Sequence, residues 1–166
     1  MHTQALEWVE QYSTDGPVSV LDIGGRNING TPRPLFPNAT RYTVLDIAPG
    51  DGVDIVADAA TWNPDRSYDV VVCCEVFEHT DAWPLILETA YRALIGDMTG
   101  MLILTMAGPG RAPHSAVDGG PRLYDGEHYR NVEAPVLEAA LAAVGFRGVV
   151  VDEQFDSNDV RAIAYR

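Results

Sequence analysis

Cysteine, positive charge and long apolar runs are all scarce in this chain of 166 residues. The only two cysteines, Cys73 and Cys74, are adjacent in an apolar run. Strand alternation sends neighbouring side chains to opposite faces, so the pair reads as two small core residues rather than a redox or metal group. Against 24 acids stand only 11 bases, a formal net charge of −13, and no basic cluster occurs. A phosphate backbone would be repelled at long range, so no direct DNA binding is expected. No apolar stretch approaches the roughly 20 residues that span a bilayer. The opening MHTQALEW has no basic segment leading into an apolar one, so no signal peptide and no membrane association are expected, and the cytoplasm is the expected compartment. Without secretion the sequon Asn38-Ala39-Thr40 carries no weight. His2 reads as an exposed terminal residue.

What is present is the composition of an ordinary globular chain, 46% hydrophobic and 21% charged. Its length suits one domain over residues 1–166, as a monomer or homodimer. Ala5, Leu6, Trp8, Val9 and Tyr12 recur at helical spacing, predicting a leading helix within residues 1–15 that Asp15-Gly16-Pro17 stops. Val18 to Ile23 predicts a buried strand ending at a glycine pair. Residues 24–38, crowded with Gly, Pro and Asn, predict an ordered loop with at most a stub of helix near Leu35-Phe36. Further strands are predicted over 42–47, 53–58, 68–74, 100–107, 147–151 and 160–165. Amphipathic helices are predicted over 81–95 and 131–144, the second closed by Gly145. Residues 108–130 form a long polar stretch, and a loop of that length in a compact domain is usually functional.

Strands alternating with helices and connectors predict a mostly parallel sheet covered on both faces. Such sheets bind ligands beyond the carboxyl ends of their strands, at the topological switch point. Acids stand at four of those ends: Asp22, Asp46, Asp58 and Glu75. A phosphate-binding loop would need Lys and Ser/Thr where Thr31-Pro32 stand, and Gly24-Gly25-Arg26-Asn27-Ile28-Asn29 fits a dinucleotide fingerprint poorly. S-adenosylmethionine asks for less phosphate chemistry. Asp46 suits its ribose hydroxyls, Asp58 its adenine amino group, and Asp22 its ammonium, while glycine at 24 and 25 lets backbone approach the amino-acid tail.

Four runs then carry a specific resemblance. Val20-Leu21-Asp22-Ile23-Gly24-Gly25, Asp46, Asp58-Ala59 and Tyr68-Asp69-Val70-Val71-Val72-Cys73-Cys74-Glu75-Val76-Phe77-Glu78-His79 occur in order. Together with Ala143-Val144-Gly145-Phe146 they resemble the class I S-adenosylmethionine-dependent methyltransferases, and among them the small type 11 methyltransferase-domain group. The resemblance implies an α/β fold, a Rossmann-like three-layer sandwich whose mostly parallel seven-stranded sheet has an antiparallel last strand. It implies S-adenosylmethionine as cofactor, S-adenosylhomocysteine as product, and a cofactor site of Asp22, Gly24, Gly25, Arg26, Asp46, Ile47, Asp58, Ala59, Cys74 and Glu75. The family usually has Gly where Arg26 stands, which leaves Arg26 able to reach the cofactor carboxylate.

Acceptor chemistry is less written in the sequence. His79 follows the fourth strand, where the family keeps this position close to the cofactor, and His114 and His128 lie in the long polar loop. Any of the three suits proton transfer near neutrality. No metal ligand set is apparent. The fourth strand ends Cys73-Cys74-Glu75-Val76, without the Pro-Cys or Pro-Pro-aromatic signatures of DNA-base methylation. A small-molecule acceptor is expected first, a protein or RNA acceptor next. The alternative is a catalytically silent binding or scaffold module on the same fold.

Overall fold

A computed structural model describes residues 2–166. Its elements run α1 (Thr3–Tyr12), β1 (Ser19–Ile23), β2 (Arg41–Asp46), β3 (Ile55–Val56), β4 (Val70–Cys74), α2 (Trp83–Ala93), β5 (Met101–Ala107), α3 (Ala134–Val144), β6 (Arg147–Gln154) and β7 (Asp159–Tyr165). All seven strands join one sheet in the order β3-β2-β1-β4-β5-β7-β6. β1 lies parallel between β2 and β4, while β7 runs antiparallel to both β5 and β6. The expected Rossmann-like architecture with one antiparallel strand is therefore present.

Alternation in β4 divides the core. Val71 and Cys73 pack with Leu21, Leu104, Leu87 and Leu141 under α2 and α3. Val70, Val72 and Cys74 pack on the other face with Trp8, Val9 and Phe36, under α1 and the first loop. The two cysteines are buried, unbonded and on opposite faces. No helix among the described residues is long and apolar enough to cross a membrane.

Several boundaries differ from the pattern-based expectation, each for a local reason. The second helix begins at Trp83 rather than Asp81 because the chain spends Phe77–His79 on a 3-10 turn, and Pro84 takes a first-turn position. The third helix begins at Ala134 rather than Asn131, since the Val132 N–H donates to the Ala107 carbonyl and so extends the end of β5. β3 shrinks to Ile55–Val56, and in its approach the Asp54 carboxylate takes the Val44 N–H. Gly145 closes α3 with φ +109°, the left-handed cap its sequence position predicts. Residues 24–40 hold only the 3-10 turn Arg33–Leu35, so the first crossover, without a long helix, leaves the C-terminal ends of β1 and β2 open.

Candidate functional site

Sequence forces the first turn to be tight. Gly24 has φ +74° and donates its N–H to the Leu45 carbonyl at 2.7 Å, tying the end of β1 to β2. A Cβ at Gly24 would fall 2.2 Å from Val76 Cγ2, and one at Gly25 would fall 2.5 Å from the Asp22 carboxylate. Asp22 itself is buried and accepts the Tyr42 hydroxyl at 2.8 Å. Burial pushes its carboxyl up to about 7; the Tyr42 bond and the charge of Arg33 oppose the rise, and the charge of Asp46 adds to it.

The next strand ends supply oriented acceptors. Asp46 takes the Arg26 N–H on Oδ2 (3.2 Å) and the Ala48 N–H on Oδ1 (2.9 Å). Asp58 caps its own turn by accepting the Ala60 N–H at 2.9 Å. Ile47, 73% exposed, stands at the rim as an uncovered apolar side chain. These groups surround one cavity of about 480 Å³, inside the roughly 300–1,000 Å³ typical of small-ligand sites. It is lined by every residue named above for the cofactor: Asp22, Gly24, Gly25, Arg26, Asp46, Ile47, Asp58, Ala59, Cys74 and Glu75.

Arg26 does something the sequence did not announce. Its guanidinium donates to the Ala116 carbonyl at 3.1 Å, joining the first loop to the 108–130 loop. Gly119 lies against Asn29 in the same way, where an added Cβ would sit 1.9 Å from Asn29 Nδ2. The long loop is thereby drawn to the cavity, which Ala116, Val117 and Gly119 help to line. Glu127 holds its shape, accepting the Ser115 hydroxyl and the backbone N–H groups of Ala116 and Tyr124 at 2.9, 2.8 and 2.6 Å. Neither Glu127 nor Ser115 stood out in the sequence, because a polar residue in a polar loop carries no periodic signal.

At the opposite end, Glu75 has a left-handed backbone (φ +57°) that a side chain adopts at a cost. It accepts the Thr105 hydroxyl at 3.0 Å, and Arg111 and His2 each lie 3.5 Å from its second oxygen. His2 is not the exposed terminal residue expected but is partly buried. It also lies 3.2 Å from Asp159, whose buried carboxylate needs cationic partners and finds a further one in Arg111. Both cysteine thiols are pushed up by burial and line the core or cavity as neutral groups.

Glu78, named above only as part of the fourth-strand run, is 0% exposed. Burial and the neighbouring Glu75 charge hold its carboxyl well above the ordinary range. His79 is pushed down to about 4, first by burial and then by His114. His79 and His114 line the cavity, their rings perpendicular with centroids 4.9 Å apart, and Tyr129 sets its ring against both. His128 is not brought to this site. It pairs with Asp81 at 3.4 Å and lines a separate cavity of about 180 Å³ with Trp83 and Val132.

Residues 1–151 match the family model described as "Methyltransferase domain". Among curated proteins no relative matches. Solved structures give the same fold. A Burkholderia thailandensis 1,6-didemethyltoxoflavin-N1-methyltransferase, with bound 1,6-didemethyltoxoflavin and S-adenosylhomocysteine, is similar at TM-score 0.67 and 15% identity over 98% of this chain and 76% of that one. An S-adenosylmethionine-dependent methyltransferase from Mesorhizobium loti matches at TM-score 0.67 and 16% identity, over 97% of this chain and 98% of the other. DhpI in complex with SAH matches at TM-score 0.64 and 19% identity, over 88% and 75%.

Proposed function

Because the chain belongs to the methyltransferase-domain family, we propose that it transfers a methyl group from S-adenosylmethionine to a small-molecule acceptor within a single domain. One observation carries this reading: a single cavity gathers the carboxylates from four strand ends, the glycine turn and the acceptor-side residues His79 and His114.

The donor set fits the cofactor. At Gly24 and Gly25 the backbone passes too close to Val76 and to the Asp22 carboxylate to admit a Cβ, which brings both backbone and carboxylate to the cavity wall. Asp46 is fixed by two backbone N–H groups, which aims its remaining lone pairs at a ribose. Asp58 suits an adenine amino group, with Ile47 and Ala59 as the apolar wall. Asp22 suits the ammonium, and Cys74 and Glu75 line the space between the two ends. Arg26 fastens the long loop through Ala116 and lines the cavity, its Nε left without a partner. When bound, S-adenosylmethionine supplies a methyl group on a sulfonium that is already a good leaving group. The protein's task is then to hold the acceptor at near-attack distance and exclude water, which orientation alone can accelerate strongly. The 108–130 loop, fastened by Arg26 and packed on Asn29, forms one wall of that space. A cavity of about 480 Å³ favours a small acceptor over a macromolecular one.

Titration with S-adenosylhomocysteine by calorimetry tests the cofactor assignment. Saturable binding at micromolar concentration is expected, and a folded sample that binds none at high micromolar levels overturns it. A pH dependence also follows. In the free protein Asp22 holds its proton up to about 7, against an ordinary value near 4. Its folded-state pKa is raised, so the stability it contributes is full below the ordinary value and is lost as pH climbs through about 7. An ammonium favours the carboxylate form, so ligand binding expels this proton. Affinity for S-adenosylhomocysteine should therefore rise between about pH 5 and pH 7, by up to about tenfold per pH unit, and flatten in Asp22→Asn. Calorimetry in buffers of different ionisation enthalpy reads the released proton directly. A flat affinity profile with no proton release would remove Asp22 from the ammonium site.

A further inference from the structure

We propose that Glu78, His79 and His114 bind a divalent transition-metal cation at the acceptor end of the cavity, leaving open coordination positions toward the substrate space. Their ligand atoms all lie within 4.8 Å of one another. Glu78 is wholly buried. One of its oxygens accepts the Ala107 N–H at 3.2 Å and the other has no hydrogen-bond partner. The Nδ1 atom of His79 is likewise buried and unpartnered. On His114, Nδ1 faces the Ala112 carbonyl at 3.4 Å; donating there makes Nε2 the lone-pair nitrogen. That Nε2 stands 3.9 Å from Glu78 Oε1, the oxygen that also takes the Ala107 N–H.

The unpaired Glu78 oxygen, the unpaired His79 Nδ1 and the His114 Nε2 therefore meet in one cluster, an arrangement that is costly in a buried place without a proton or cation to share. The surroundings are those of a ligand shell. Metal-bound histidines commonly donate their second nitrogen to a backbone carbonyl, as His114 does to Ala112. The Tyr129 hydroxyl donates to the same carbonyl at 3.1 Å, and its ring packs on both imidazoles. Two imidazoles and one carboxylate select zinc, cobalt, manganese or iron over magnesium or calcium, which favour all-oxygen shells. Bonds of roughly 2.1 Å place ligands about 3.0–3.4 Å apart, so His114 has about 1 Å to close, and it sits on a loop. With only three protein ligands, positions remain for exogenous donors. An acceptor carrying an oxygen donor, a hydroxyl or carboxylate, is the class that would fill them. That last consequence rests on the methyl-transfer reading; metal binding does not.

The test uses the full chain, freed of metal by a chelator and desalted, and titrated separately with cobalt(II) and zinc(II). Expected are one equivalent of cation bound with a Kd below about 100 μM, a visible cobalt spectrum and a higher melting temperature. His114→Ala, on the surface loop, should weaken cobalt binding at least tenfold, as should His79→Ala, whereas His128→Ala leaves it unchanged. Absence of saturable one-to-one uptake, or uptake indifferent to His114→Ala, overturns the proposal and leaves a shared proton as the occupant. Both readouts use the parent chain and a loop variant, so neither depends on substituting the buried Glu78. Binding of S-adenosylhomocysteine by a sample that takes up no metal overturns only the metal site. Metal uptake without S-adenosylhomocysteine binding overturns only the methyl-transfer reading.

Discussion

Asp46→Ala should weaken S-adenosylhomocysteine binding by about 1 to 3 kcal/mol, roughly five- to 150-fold, the worth of hydrogen bonds to a charged acceptor. The effect has two parts. The ribose hydroxyls lose a charged acceptor, and the Arg26 and Ala48 N–H groups lose theirs, which loosens the turn that carries Arg26 to the 108–130 loop. Asp46→Asn separates them. An amide keeps one oxygen for a backbone donor but has no charge, so it should recover part of the loop order and little of the affinity. Calorimetry on the three proteins measures both. Equal affinity for Asp46→Ala and the parent chain removes Asp46 from the ribose site.

Gly24→Ala should be more damaging to the fold. At φ +74° any side chain costs about 1–2 kcal/mol of backbone strain, and here its Cβ would also overlap Val76 Cγ2 at 2.2 Å. Overpacking of this kind typically adds a further 1–3 kcal/mol. Val76 cannot retreat freely, because it follows Glu75, itself strained at φ +57° and bonded to Thr105. A stability loss of about 2–5 kcal/mol in urea, together with loss of S-adenosylhomocysteine binding, is the expected result. Gly52→Ala is the control. Gly52 has φ +76° but nothing within 4 Å of an added Cβ, so it should show the strain alone and bind normally. If Gly24→Ala matches Gly52→Ala in stability and retains the parent's affinity, the close approach at Val76 has no role in shaping the site.

The alternating apolar runs, the glycine turn and the acids at strand ends were legible in the sequence because each is a local property. A strand's side-chain period is two, its end is marked by glycine or an acid, and parallel strand ends converge on one edge whatever the loops do. That is why Asp22, Asp46, Asp58 and Glu75 could be expected around one cavity from their positions in the chain. Loop side chains follow no period, so nothing local says which partner each one meets. His114 meets Glu78 and His79 while His128 turns away to Asp81, although both histidines lie in the same polar stretch. Glu78 is buried because the 3-10 turn Phe77–His79 places it beneath the end of β5, where its oxygen takes the Ala107 N–H. His2 reaches Asp159 across nearly the whole chain, and Arg26 donates to the Ala116 carbonyl of the long loop. Local pattern was enough for the sheet and the strand-end edge of the cavity. The end that holds Glu78, His79 and His114 was settled by packing between segments distant in the chain, which brings loop side chains onto the strand ends, as with His114 and Glu78.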